Sequence, residues 1–179
     1  HLREYGLYGM VDANLATPTS TAPARPATKS VSGIVIMLAG AGFEALAQRQ
    51  HLSAPEIHTS EIVAAGTATQ RLLSHRGMLQ ECHIPQVAAS PLHVDSLSSV
   101  FVANDETSVK KSVWMVRRAV VVQEAVLLRD ISVLKIGDEH NLADIFTKYV
   151  KYAKWRLFID IVLNVQSRAP SLRVPSFAS

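Results

Sequence analysis

Apolar residues run unbroken through Ile34-Val35-Ile36-Met37-Leu38, with Ser32-Gly33 before them and Ala39-Gly40-Ala41-Gly42 after. A β-branched run of this length between small polar residues suits a central strand, here Ser32 to Leu38, closed by a turn over residues 39–42. Glu4 to Val11 reads as an earlier strand ending at Asp12, and Phe43 to Gln50 as a third strand. Between the first two, residues 16–29 are mostly Thr, Ala, Pro and Ser without an apolar period, which marks a loop. Ala54-Pro55 interrupts the chain after the third strand, and the proline argues against a central strand there. From Thr59 or Ser60, either able to cap a helix, Ile62, Ala65, Ala68, Leu72 and Leu73 recur on one face to about Leu79. Pro91 to Asp95 reads as a short buried strand, Ser96 to Ala103 as a short helix, and Val109 to about Leu127 as a longer one. Asp130 to Ile136 alternates as a strand does, and Asp138 is placed to cap a helix from Glu139 to about Tyr149. Lys151 to Asn164 is amphipathic, with Trp155, Phe158, Ile159, Ile161 and Val162 apolar. Gln166 to Ser179 reads as an extended tail. Strands and helices alternating in this order predict an α/β fold.

The chain has 179 residues, enough for one domain with a real core. Hydrophobic residues at 48% and charged residues at 18% give a globular balance, neither disordered nor fibrous. The longest apolar run, Ala119 to Leu128, is broken by Gln123 and Glu124, well short of the roughly 18 residues that span a bilayer. No membrane insertion is expected, and no signal peptide is read at the start. The single cysteine, Cys82, excludes an internal disulfide and a cysteine-based zinc site. It fits an intracellular, reducing compartment, with the mitochondrion among the candidates. A net charge of +3 and a pI near 9.2 are compatible with a nucleic-acid partner.

Five short motifs stand out, in chain order. They are Val11-Asp12-Ala13, Ser30-Val31-Ser32-Gly33, Glu61 early in the long helix, Val94-Asp95-Ser96, and Asn141-Leu142-Ala143-Asp144-Ile145-Phe146-Thr147-Lys148. The last resembles the L-A-D-x-[FL]-T-K stretch that closes the ribonuclease H domain of copia-type retrotransposon polyproteins. The others match that family's remaining landmarks in order and spacing, over about residues 5 to 148. The resemblance implies a ribonuclease H-like fold, a mixed five-stranded sheet with flanking helices, over residues 1–149. Residues 150–179 would then add a C-terminal amphipathic helix and a tail containing Pro, Ser and Arg. It also implies a metal-binding catalytic set of Asp12, Glu61, Asp95 and Asp144. Asp12 and Asp95 would be central ligands, with Glu61 on one metal and Asp144 on the other. Such a set has a chemical logic. Phosphodiester hydrolysis by two Mg²⁺ or Mn²⁺ ions about 4 Å apart needs oxygen ligands converging from separate elements.

The chain departs from the family around these acids. The usual Asp-Ala-Asp-Trp reads Asp12-Ala13-Asn14-Leu15, and Ser-Ser-Thr-Glu-Ala-Glu reads Glu56-Ile57-His58-Thr59-Ser60-Glu61. Lys-His-Ile-Asp-Ile-Arg appears as Lys111-Ser112-Val113-Trp114-Met115-Val116, while Gln50 keeps the family's Lys-Gln glutamine. His140, four residues before Asp144, would share its helical face and is a further catalytic candidate beside a surface role. The other histidines form no metal spacing, and His93 reads as a packing residue. Lys110, Lys111, Arg117 and Arg118 are the candidate nucleic-acid contacts. Lys148, Lys151, Lys154 and Arg156 form a second basic group beside Tyr149, Tyr152 and Trp155, which would stack on bases if exposed.

Two functions fit. The leading one is a retroelement-derived, non-catalytic RNA- or protein-binding subunit of a larger ribonucleoprotein, such as a divergent mitochondrial ribosome. The eroded motifs and the apolar Val113 to Val122 stretch favour it. The alternative is an active two-metal ribonuclease H that cuts the RNA strand of RNA–DNA hybrids. The four intact acids favour that reading.

Overall fold

A computed structural model describes residues 6–14, 30–50, 57–96 and 113–165. Five strands form one sheet: β1 (Leu7–Asn14), β2 (Val31–Leu38), β3 (Ala41–Arg49), β4 (Ser90–Val94) and β5 (Ile131–Lys135). Their spatial order is β3-β2-β1-β4-β5. The β3-β2-β1 half is antiparallel, and β4 and β5 join β1 in parallel. Among the described residues the helices are α1 (Ile57–Glu81), α2 (Val113–Leu127) and α3 (Tyr152–Val162), with a 3₁₀ helix over Leu142–Phe146.

The period-2 alternation of β1 and β2 places a core on each face of the sheet. Leu7, Val11, Ile34 and Ile36 pack with Ala64, Ala68 and Leu72 of α1 and with Val122 and Ala125 of α2. Met10, Val35 and Met37 pack on the opposite face with Leu142, Ala143, Phe158 and Val162, from the 3₁₀ helix and α3. The apolar face read along Lys151 to Asn164 therefore covers the sheet, with Phe158 and Val162 buried and Trp155 at its outer edge. Gly42 makes the fit possible, since a Cβ there would stand 2.6 Å from Val162 Cγ1.

Several expected boundaries move. The 39–42 turn shrinks to Ala39-Gly40, both at positive φ as a tight hairpin requires, so Ala41 and Gly42 join β3. Helix α1 starts at Ile57, so Thr59 and Ser60 are buried in its first turn and do not precede it. The helix expected over 139–149 contracts to the five-residue 3₁₀ helix, capped by Asn141 in place of Asp138. The loop over 16–29, the interruption at Ala54-Pro55, the helix after Ser96 and the tail after Val165 lie outside the described residues.

Arg76 ties the far end of α1 to the sheet. Its guanidinium donates to the carbonyls of Gln86 and Ala88 and to Ser90 Oγ, all at 2.9 Å, and faces Asp130 at 3.5 Å.

Candidate metal centre

Val11 and Val94 stand level in the parallel β1–β4 pair. The next residue on each strand is an aspartate, Asp12 two residues before the end of β1 and Asp95 just past β4. Onward connections diverge to opposite sides of this pair, which is where open sheets gather ligands beyond their strand ends. Asp12 has the parity of Met10, so it faces the 3₁₀ helix.

The Asn141–Lys148 segment is fastened across β1 by its own polar residues. Asn141 Oδ1 accepts from the Ala143 amide at 3.2 Å, capping the 3₁₀ helix, and Nδ2 donates to the Val11 carbonyl at 3.0 Å. Thr147 Oγ1 donates to an Asp12 carboxylate oxygen, and Asn14 Nδ2 to the Thr147 carbonyl at 2.8 Å. Gly33, level with Asp12 on β2, lets this segment lie close, because a Cβ there would meet Ala143 O at 2.7 Å and Thr147 Cγ2 at 2.8 Å. Gly33→Ala therefore forces main chain apart. Overpacking of this kind costs about 1–3 kcal/mol, which lowers the melting temperature of a chain this size by roughly 5 °C. A thermal melt within about 1 °C of wild type would show that the contact is not tight.

These fastenings bring Asp144 to the two strand-end acids. One carboxylate oxygen each from Asp12, Asp95 and Asp144 lies within 4.8 Å of the others, with Asp12 and Asp144 buried and Asp95 half-buried. Glu61, on α1, stands outside that trio. It lines a crevice of about 10 Å³ with Asp12, Asp95, Val11, Ala13, Ala64 and Val94, space for about one water.

Two lysines stand among the acids. Lys148 Nζ lies 3.1 Å from Asp12 Oδ1, 3.1 Å from Asp144 Oδ1 and 3.8 Å from Asp95 Oδ2. Lys154 Nζ holds the other Asp144 oxygen at 2.9 Å and donates to the Asp138 carbonyl at 2.9 Å. Burial pushes the Asp95 carboxyl up to about 7, helped by its hydrogen bond to Asp12 and the charges of Asp12 and Glu61, and opposed by Lys148. Burial pulls the Lys148 ammonium down, but the adjacent Asp12 and Asp144 carboxylates more than offset this and raise it above the ordinary lysine value.

Three converging carboxylates form a hard donor set, which suits Mg²⁺ or Mn²⁺ and not a thiophilic metal. Lys148 and Lys154 hold separate Asp144 oxygens, so a divalent ion there would compete with Lys148 for Asp12 and Asp144. Lys148 is 39% exposed, so its head group has a route to solvent.

The remaining candidates lie elsewhere. His140 is not on a helical face with Asp144. It lies in the turn before the 3₁₀ helix, half-exposed, 3.7 Å from Glu139. Arg117 is exposed on α2, whereas Arg118 donates to Gln70 Oε1 at 2.9 Å and is engaged with α1. Lys110 and Lys111 fall outside the described residues. His93 is buried against Tyr8, edge to face, and burial pushes its imidazole below the ordinary value. Gln50 is buried and fixes the start of α1, donating from Nε2 to Ser32 Oγ and to the Ser60 carbonyl, each at 2.9 Å. Residue type alone does not single out Asn141 and Thr147, and it suggests phosphate-facing roles for Lys148 and Lys154. The Asp144–Lys148 spacing of four is the available signal for one of those pairings.

No protein-family model matches this chain, and no curated protein does. Solved structures do. The N-terminal RNase H domain of a Mycobacterium tuberculosis protein superposes with a TM-score of 0.56 at 11% identity, covering 80% of this chain and 91% of that one. LC11-RNase H1, in complex with an RNA/DNA hybrid, gives 0.54 at 14% identity, covering 78% and 92%. The protease–reverse transcriptase of prototype foamy virus gives 0.56 at 17% identity, covering 82% of this chain but 21% of that far longer one. At these identities the likeness establishes the fold, which is ribonuclease H-like.

Proposed function

We propose that this ribonuclease H-like domain is a metal-dependent nuclease that cleaves the RNA strand of RNA–DNA hybrids, and that it descends from copia-type retroelements. The carrying observation is the convergence of Asp12, Asp95 and Asp144, from three separate segments, within 4.8 Å. That LC11-RNase H1 was solved on a hybrid supports the choice of substrate. The Asn141–Lys148 motif supports the descent, since Asn141 holds β1, Thr147 and Lys148 hold Asp12, and Asp144 is one of the converging acids.

When bound, divalent ions would polarise the scissile phosphate and activate the attacking water. Asp12 and Asp95 supply the central oxygens from the strand ends, and Asp144 flanks them from the 3₁₀ helix. Glu61 lines the small crevice on the α1 side, placed to accept a hydrogen bond from a water there. Thr147 orients Asp12 by donating to it, which leaves the other carboxylate oxygen toward Lys148.

A second reading keeps the fold without the catalysis, as an RNA- or protein-binding subunit of a ribonucleoprotein such as a divergent mitochondrial ribosome. One specific observation favours it: lysines already neutralise the acids.

The test is incubation of the purified chain with an end-labelled RNA–DNA hybrid and Mg²⁺ or Mn²⁺. RNA fragments that appear with metal, vanish with EDTA and are not matched on duplex DNA are expected. A folded chain that leaves the hybrid intact with both metals would sink the nuclease and move the assignment to the second reading.

A further inference from the structure

Three aromatic residues at and before the start of α3 lie largely outside the core. Tyr149 is fully exposed, Tyr152 is 74% exposed and Trp155 is 41% exposed. The Tyr152 and Trp155 rings are near-parallel, 23° apart, with centroids 6.1 Å from each other. Tyr152 and Trp155, three residues apart, are neighbours on one helix surface. The buried face of α3 is carried instead by Phe158 and Val162.

Two exposed cations flank this surface. Lys151 is exposed, and so is Arg156, which pairs with Asp160 at 3.2 Å. It is also joined in sequence to the two lysines that hold the acids. Tyr149 follows Lys148, and Lys154 sits one residue before Trp155 while its ammonium holds Asp144.

We infer that Tyr149, Tyr152 and Trp155, with Lys151 and Arg156, form a docking platform for single-stranded nucleic acid running away from the acidic centre. This rests on the nuclease reading only for why such a strand lies nearby. Flat exposed rings offer a stacking surface to any base, and neighbouring cations attract its phosphates. The occupant is a single strand and not the hybrid itself, because bases within a duplex already stack on each other and present no free face. The positive rim selects a polyanion over an apolar protein surface.

The experiment is fluorescence anisotropy with a labelled oligouridylate of about a dozen nucleotides, longer than the minimal stacked site, titrated with the full chain in EDTA. Each stacked base contributes about 1–3 kcal/mol, so Tyr152→Ala and Trp155→Ala should each weaken binding by roughly 5- to 100-fold. Trp155→Phe should restore most of the loss, because a ring returns. In a Trp114→Phe background, bound oligouridylate should quench Trp155 emission. Wild-type binding that is absent, or unchanged in both alanine variants, overturns the platform. So does a chain whose self-association, seen by light scattering, is lost in Trp155→Ala, since the face would then belong to a second copy. The nuclease fails separately: binding without hybrid cleavage leaves the platform standing, and hybrid cleavage with unaltered oligouridylate binding removes the platform alone.

Discussion

Asp12→Asn should lower hybrid cleavage about a thousandfold or more while the protein stays folded. Asp12 is the hub of the cluster, bonded to Thr147, facing Lys148 and hydrogen-bonded to Asp95. Asparagine keeps its shape, so no cavity opens beside Thr147 and Lys148. It loses the charge that a metal ion requires and turns a donor toward a site built to accept. Metal-borne charge stabilisation is worth several kcal/mol, and about 4 kcal/mol is a factor of roughly a thousand. The fold should survive, because Lys148 retains Asp144 as a partner and is part-exposed. Cleavage kinetics, Mn²⁺ titration calorimetry and a thermal melt read these quantities separately. Cleavage within about tenfold of wild type would remove Asp12 from the chemistry.

Lys148→Met should tighten Mn²⁺ binding by about tenfold or more and destabilise the metal-free chain. The Lys148 ammonium lies 3.1 Å from both Asp12 and Asp144, where it compensates a cluster that would otherwise repel itself. A divalent ion has to displace it, so its attraction for the acids subtracts from metal affinity. Methionine fills the alkyl stem's volume and carries no charge. Fully buried pairs cost several kcal/mol when broken, but this lysine is part-exposed and solvent screens it, so about 1–2 kcal/mol is expected without metal. One such unit of free energy, about 1.4 kcal/mol, is tenfold in affinity. Calorimetry with Mn²⁺ and melts with EDTA or Mn²⁺ check both halves. A variant that binds Mn²⁺ no more tightly than wild type would show that Lys148 does not compete.

The sheet was legible because its strands carry period-2 or continuous apolar runs of strand length, bounded by small and polar residues. Asp12 and Asp95 follow such runs, but it was the family resemblance, and not the strand pattern, that singled them out among the acids. The segment after β5 was harder. From Glu139 to Tyr149 its residues permit a continuous helix, and Asp138 is a good cap by type. What shortens it is a contact across 130 residues, from Asn141 to the Val11 carbonyl, which no local propensity contains. With the helix start went the shared face assigned to His140. Lys148 and Lys154 illustrate a second limit. A basic residue beside aromatic ones looks alike whether it meets a phosphate or a carboxylate, and only the fold brings Asp144 under both. The exposure of Tyr149, Tyr152 and Trp155 was equally hidden, since an amphipathic pattern does not say where the apolar stripe ends.

Asn141's bond to Val11 and Thr147's bond to Asp12 also set a schedule. A ribosome releases β1, with Asp12 in place, more than a hundred residues before it delivers those partners. Contacts of such separation form late in folding. During synthesis the chain therefore carries a strand end whose acid lacks its counter-charge and whose carbonyl lacks its donor. The latch that supplies both follows more than a hundred residues later, so the centre closes only when that distant segment docks on β1.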